Sequence, residues 1–300
     1  MTRTNAPPGL LLIDVSSIQG TIDWSAVAAW RSSDGRAIGG VIARATNGAD
    51  PDSRFREYRE GARRVGLRFG AYGVIYPSGD VAAQARAFVR TVGLLAPEDL
   101  PPVLDFEVHG PNEHDAACAW IEIVERAFGR RVTIYTGAGF ANAITWPADS
   151  PLRSRPLWVA HYTDASAPLL PRQWTHAVEW QYSGDGGQRV AGIASDVDRD
   201  VWIDDTNGDG VIDLADLDAF ARASVIGEPR PLPPVPSWAE VQARLVAEGA
   251  NLGRSGPKGD GVDGVPGRLT LAALAAWQTR HGLPASGRLD EATIEALGVS

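Results

Sequence analysis

The chain has 300 residues, 44% of them hydrophobic, a formal net charge of −9 and a single cysteine, Cys118. That is room for one large domain and a small one, with enough apolar material for a real core. The acidic balance argues against a nucleic-acid binder, the lone cysteine excludes an intramolecular disulfide framework, and no apolar run reaches the ~18 residues of a membrane span.

Residues 1–8 hold one Arg and no long apolar stretch, so no secretory signal is expected. Residues 10–16, Leu-Leu-Leu-Ile-Asp-Val-Ser, read as a short apolar strand carrying Asp14 near its end. Asp23 or Ser25 can cap a helix running to about residue 31. Residues 40–46 are a second strand and 52–65 an amphipathic helix around Phe55, Tyr58 and Ala62 that Gly66 ends. A third strand spans 68–76, and Asp80 caps a helix reaching Val92.

Residues 102–108 place two carboxylates, Asp105 and Glu107, in an apolar run that reads as a strand. Alternation points both acids one way and Leu104 and Phe106 the other. Acids in such a run are unfavourable unless paired, hydrogen-bonded or used. Taken alone, the pair also fits an edge strand with a solvated acidic face.

Residues 114–128 form another helix, followed by strands at 131–136, 156–162 and 177–182 and an acid-rich segment, 195–201. Strands alternate with helices in the first half, and helices then thin out. This order predicts an α/β fold, a parallel TIM-like (β/α) barrel with an irregular late half. Function in such barrels sits at the C-terminal ends of strands, where Asp14, Asp105, Glu107 and Tyr135 fall.

Residues 205–216 fit a twelve-residue calcium loop. Its expected ligands are Asp205, Asn207, Asp209, the Val211 carbonyl, Asp213 and Asp216, with Gly210 at the turn. Asp216 replaces the usual bidentate Glu, and a structural rather than catalytic calcium is expected. Residues 228–236 hold five prolines in nine positions, a stiff polyproline linker. Helices predicted from Ser237, over 270–281 and over 290–297 make a small three-helix domain.

An ordered set of segments resembles glycoside hydrolase family 25, the Chalaropsis-type muramidases. The matching pieces are Asp14-Val15-Ser16 with Gln19-Gly20-Thr21-Ile22-Asp23-Trp24, Arg44-Ala45-Thr46-Asn47-Gly48, Gly70-Ala71-Tyr72 and Leu104-Asp105-Phe106-Glu107. Ile134-Tyr135-Thr136, residues 157–162, Trp180-Gln181-Tyr182-Ser183 and Val197-Asp198-Arg199-Asp200 complete it. Arg44, Asn47 and Asp200 depart from the family pattern, which carries Lys, Glu and Asn there. The tail resembles the type 1 peptidoglycan-binding domain through Val241-Gln242-Ala243-Arg244-Leu245, residues 262–267, Ala276-Trp277-Gln278 and Gly282-Leu283.

The resemblance implies a catalytic barrel over 9–203 and a wall-binding domain over 237–300, with the calcium loop and a helix over 204–227 and the linker over 228–236 between them. It implies hydrolysis of the β-1,4 bond between N-acetylmuramic acid and N-acetylglucosamine in bacterial peptidoglycan, with no catalytic cofactor. Glu107 matches the acid, and Asp105 is expected to stay ionised on hydrogen bonds and to steady an oxazolinium formed by the substrate's own acetamido group. Asp14 and Asp198 are expected to orient sugar or water, with Tyr72, Tyr135, Trp158, Tyr162 and Trp180 lining the cleft. A monomer acting on the wall after release from the cytoplasm, as a phage endolysin or in a phage-tail or injection particle, fits this picture. A non-catalytic wall binder and a hydrolase of another N-acetylated polysaccharide are the alternatives.

Overall fold

The structure is a computed structural model and describes residues 6–184 and 189–298; residues 1–5 of the stretch read for a leader lie outside it. The chain divides into two compact units, Met1–Arg230 and Pro231–Ser300.

The first unit is a closed barrel of eight strands. These are β1 (Leu10–Val15), β2 (Ile38–Asn47), β4 (Arg68–Val74), β5 (Val103–Asp105), β6 (Thr133–Gly137), β7 (Leu157–Ala160), β8 (Glu179–Ser183) and β9 (Asp198–Trp202). A two-residue β3 (Asp50–Pro51) folds back on β2. Pairing runs β1-β9-β8-β7-β6-β5-β4-β2, and β1 pairs β2 to close the ring. Neighbours from β1 round to β8 are parallel. β9 differs from the all-parallel expectation: it runs antiparallel to both β1 and β8. A parallel partner would need a crossover, usually helical, to carry the chain back across the barrel. Among the described residues between β8 and β9 there is no helix, so the chain re-enters from the end it left.

Helices α1 (Trp24–Ala29), α2 (Phe55–Arg64), α3 (Val81–Val92), α4 (Glu113–Phe128) and α5 (Ala138–Ala143) follow strands in the first half. Asp23, not Ser25, caps α1, accepting from the Ser25 and Ala26 amides. Asp80 caps α3 through the Ala83 amide. The short α5 was not expected from the sequence. Helix α2 lies against Trp24 so closely that a Cβ on Gly61 would come 2.0 Å from the indole Cδ1.

Helix α6 (Leu214–Ala223) plugs the barrel end opposite the strands' C-termini. Its Leu217 and Phe220 join a buried cluster with Leu12, Ile42, Val103 and Trp202. Arg68, the first residue of β4, clamps the plug by donating two hydrogen bonds to Asp218, at 2.5 and 2.8 Å.

The second unit holds α7 (Trp238–Ala247), α8 (Arg268–Arg280) and α9 (Glu291–Leu297) around Val241, Leu245, Leu252, Leu274, Trp277 and Leu297. Ser237 and Glu240 form a reciprocal capping box on α7. Two buried glutamines fix its loops. Gln242 accepts from the Asp263 and Gly264 amides, and Gln278 accepts from Gly287 while donating to the Arg288 carbonyl.

Candidate active site

A cleft of about 350 Å³ opens at the C-terminal end of the parallel strands. Asp14 comes from β1, Asp105 from the last position of β5, Glu107 from the loop just after it, and Asp198 from the first position of β9. Reversal of β9 is what brings Asp198 to this end: the start of an antiparallel strand lies beside the finish of its neighbour, and Asp198 pairs in register with Asp14. All four carboxylates line the same cleft. Strand β5 stops at Asp105, shorter than the run predicted over 102–108, yet Phe106 still turns away into the core, its ring 5.0 Å from that of Phe140.

One side chain ties the strands together beneath these acids. Gln181 on β8 donates its amide N–H to Asp14 Oδ2 at 2.7 Å. Its carbonyl oxygen accepts from the Tyr135 hydroxyl at 2.7 Å and the Tyr162 hydroxyl at 2.5 Å. Across the cleft, Arg44 donates to Asp52 Oδ2 at 3.0 Å and to Ser17 Oγ at 3.3 Å. At the rim, the Tyr76 hydroxyl donates to Asn47 Oδ1 at 2.8 Å.

The field in the cleft is strongly acidic. Burial, with Asp198 and Glu107 adding to it, holds the Asp14 carboxyl well above the usual range, and the Gln181 amide works against this. Burial also raises Asp105, reinforced by Glu107 and Asp14 and opposed by Arg44. Glu107 is exposed over much of its surface, yet the cleft wall withdraws enough water to raise it as well. Tyr72 is pushed up by burial and by Asp14 and Asp105. The expectation that hydrogen bonds keep Asp105 ionised is corrected: its buried Oδ1 has no hydrogen-bond partner, and among the described residues the group that favours its charged form is Arg44.

Of the expected aromatic lining, Tyr72, Tyr135 and Trp158 border the cleft. Tyr162 stands behind this lining, its hydroxyl on the Gln181 carbonyl oxygen. Trp180 is a correction. It lies between Glu179 and Gln181 on β8, so alternation turns it away from the barrel interior, where its indole donates to the His161 carbonyl at 2.8 Å. The sequence reading gave no role to Gln181, Arg44, Asn47 or Tyr76, which also border the cleft. Gln181 stood inside a quoted motif, but an amide side chain carries no signal of its own for strand pairing.

The loop before α6 keeps the turns of a cation loop without gathering its oxygens. Asp205 accepts from the Gly208 and Gly210 amides, Asp209 from Val211, and buried Asp216 from Asn207 and Asp213. Asp213 accepts from Ala215 as the α6 cap. The donors are hard oxygens suited to calcium. Among the described residues, however, no group of three or more His, Cys, Asp or Glu is arranged to hold a metal ion.

The model of the glycosyl hydrolases family 25 matches residues 13–192, and that of a putative peptidoglycan binding domain matches 235–297. Lysozyme M1 of Streptomyces globisporus is 34% identical over 208 residues, 64% of this chain and 67% of that protein. The autolytic lysozyme of Clostridium acetobutylicum is 26% identical over 277 residues, 90% of this chain and 73% of that one. The bacterial lysozyme from Streptomyces coelicolor superposes with a TM-score of 0.61 at 30% identity, covering 73% of this chain and all of that one. The CTP1L endolysin shares the fold, with a TM-score of 0.55 at 24% identity over 65% of this chain and 67% of that one.

Proposed function

We propose that this chain, which belongs to the glycosyl hydrolases family 25 and is a peptidoglycan hydrolase with lysozyme activity, cuts its substrate by a retaining, substrate-assisted route. The observation that carries the reading is the convergence of Asp14, Asp105, Glu107 and Asp198 on one cleft, at the C-terminal end of the parallel strands and the start of β9. Glycoside hydrolysis needs one carboxyl to protonate the leaving oxygen and a second to manage the cationic transition state. Two acids in one field do not both ionise, so Asp105 and Glu107 hold a single proton between them in the resting state.

Glu107 is assigned that proton because it reaches solvent and can be recharged from water after each turnover. Asp105 takes the charge beside Arg44, the group that opposes its protonation. The acetamido oxygen of the sugar then attacks the anomeric carbon as Glu107 protonates the leaving oxygen, and Asp105 steadies the resulting oxazolinium. Water opens that ring with Glu107 now acting as base. Asp14, held by Gln181, and Asp198 orient sugar and water. Tyr72, Tyr135 and Trp158 supply the platform for the rings.

The second unit is assigned to hold wall polymer and so to raise the local substrate concentration at the cleft. Calcium at 205–216 would require Asp205, Asp209, Asp213 and Asp216 to turn from the amides they accept from and converge on the ion; bound there it would steady α6 and take no part in the chemistry. The chain acts on bacterial peptidoglycan. No helix among the described residues is long and apolar enough to cross a membrane.

Glu107→Gln tests the chemistry. It should fold with an unchanged melting temperature and lose about a hundredfold or more in wall clearing through kcat. Clearing equal to the parent would sink the assignment. NMR of the first-formed anomer separates retention from inversion.

A further inference from the structure

Two carboxyl groups that the cleft does not use lie inside the barrel wall beneath it. Glu179 is 2% exposed and Asp200 wholly buried, and neither borders the cleft. Strand register explains why both face inward. Gln181 pairs with Asp200 and Glu179 with Trp202, so alternation puts Glu179, Gln181 and Asp200 on one face with Asp14 and Asp198. Asp200 Oδ1 accepts from the Trp158 indole at 3.1 Å, across the intervening β8. One oxygen of each acid, Asp200 Oδ2 and Glu179 Oε1, has no hydrogen-bond partner.

We propose that Asp200, with Glu179 on the same inward face, forms an acid floor that positions Trp158 for the reaction. The inference rests on reading Trp158 as a cleft group. An isolated buried carboxylate is strongly unfavourable, whereas a protonated one turns an orphaned acceptor into a donor. The charged and titratable groups facing the floor are all acidic. Asp200 meets Asp14 on β1, Glu179 on β8 and Asp198 on its own strand, and Tyr162 after β7 feels its charge. Glu179 meets Asp14. Among the described residues the groups acting on either acid include no cation, and burial raises both well above the ordinary range. Arg44 acts on the far side of the cleft, on Asp105 and Tyr72. Neutrality below keeps the negative charge of the site on the groups that meet substrate, and it leaves Asp200 with a lone pair for the indole that borders the cleft.

The sign of the pH effect follows. A folded-state pKa raised above the unfolded value of about 4 means that the native state holds a proton the unfolded chain has released. The stabilisation is complete below that unfolded value and is lost as pH rises toward the folded one. Asp200→Asn and Glu179→Gln remove this loss while keeping shape and hydrogen bonding.

The test uses the full chain, with Asp200→Asn, Glu179→Gln, the double variant and Asp200→Ala, melted from pH 4 to 9 and assayed for wall clearing over the same range. The double amide variant should gain about 3 °C or more over the parent at pH 8, and the gain should vanish near pH 4. Its rate should fall off at higher pH than the parent's on the alkaline side. Asp200→Ala, which strips the indole of its acceptor, should lose about tenfold or more in kcat, with Asp200→Asn rescuing it. A pH-independent melting difference, amide variants that do not fold, or Asp200→Asn as impaired as Asp200→Ala would each overturn the proposal. The melting arm does not depend on the catalytic reading. A fully active Glu107→Gln would sink that reading and leave the pH dependence of melting to be judged by itself.

Discussion

Replacing Gln181 with Met removes the one side chain that joins Asp14 on β1, Tyr135 on β6 and Tyr162 beyond β7, while nearly conserving volume. Three hydrogen bonds go at once. Tyr162 is 52% exposed, so its hydroxyl rehydrates at little loss. Asp14 and Tyr135 are buried, and losing the Gln181 bond costs each roughly 1–3 kcal/mol, or about 2–6 kcal/mol together. For a unit of this size that lowers the melting temperature by roughly 4–24 °C. Gln181 also opposes the upward shift of Asp14, so its loss raises that carboxyl further. If Asp14 works ionised, the acid-side fall of the rate moves to higher pH. Scanning calorimetry with a pH–rate series on purified walls checks both effects. A melting temperature within about 1 °C of the parent, with an unmoved acid limb, would refute the view that Gln181 organises the site.

Chelation should lower the melting temperature of the first unit if calcium holds residues 205–216, with kcat at 25 °C little changed. An unchanged melt together with no calcium by elemental analysis ends that proposal. Arg68→Met strips the α6 plug of its bidentate partner and should cost about 1–2 kcal/mol, a shift of about 2–8 °C in the barrel transition. No shift would mean that the plug holds by apolar contact alone. Trp277→Ala empties the middle of the second unit and should cost about 3–5 kcal/mol there. Wall pull-down should weaken, while hydrolysis of short soluble glycan fragments stays at the parent rate. Unweakened retention would remove the targeting role. Gly61→Ala drives a methyl into Trp24 and should destabilise the barrel by about 1–3 kcal/mol, read by urea titration, with a midpoint equal to the parent's as the contrary result.

Much of this protein is local information. Apolar runs that stop at an acid mark β1 and β5, because a buried strand ends where its side chains must meet water or substrate. Asp23, Asp80 and Ser237 mark helix starts, because capping needs a side-chain oxygen within two or three residues of the free amides. The acids bordering the cleft, Asp14, Asp105, Glu107 and Asp198, were legible for the same reason together with the family's ordered motifs. What the sequence could not carry depends on register between strands far apart in the chain. Closure by β1 on β2, the reversed β9, the reach of Trp158 over β8 to Asp200 and the bonds gathered by Gln181 each join residues that no local pattern relates. The protonation of the acids belongs to the same class. Asp105 looks in sequence like any carboxylate on a strand, and only the barrel decides that its Oδ1 is left dry and that it shares a field with Glu107, Asp14 and Arg44.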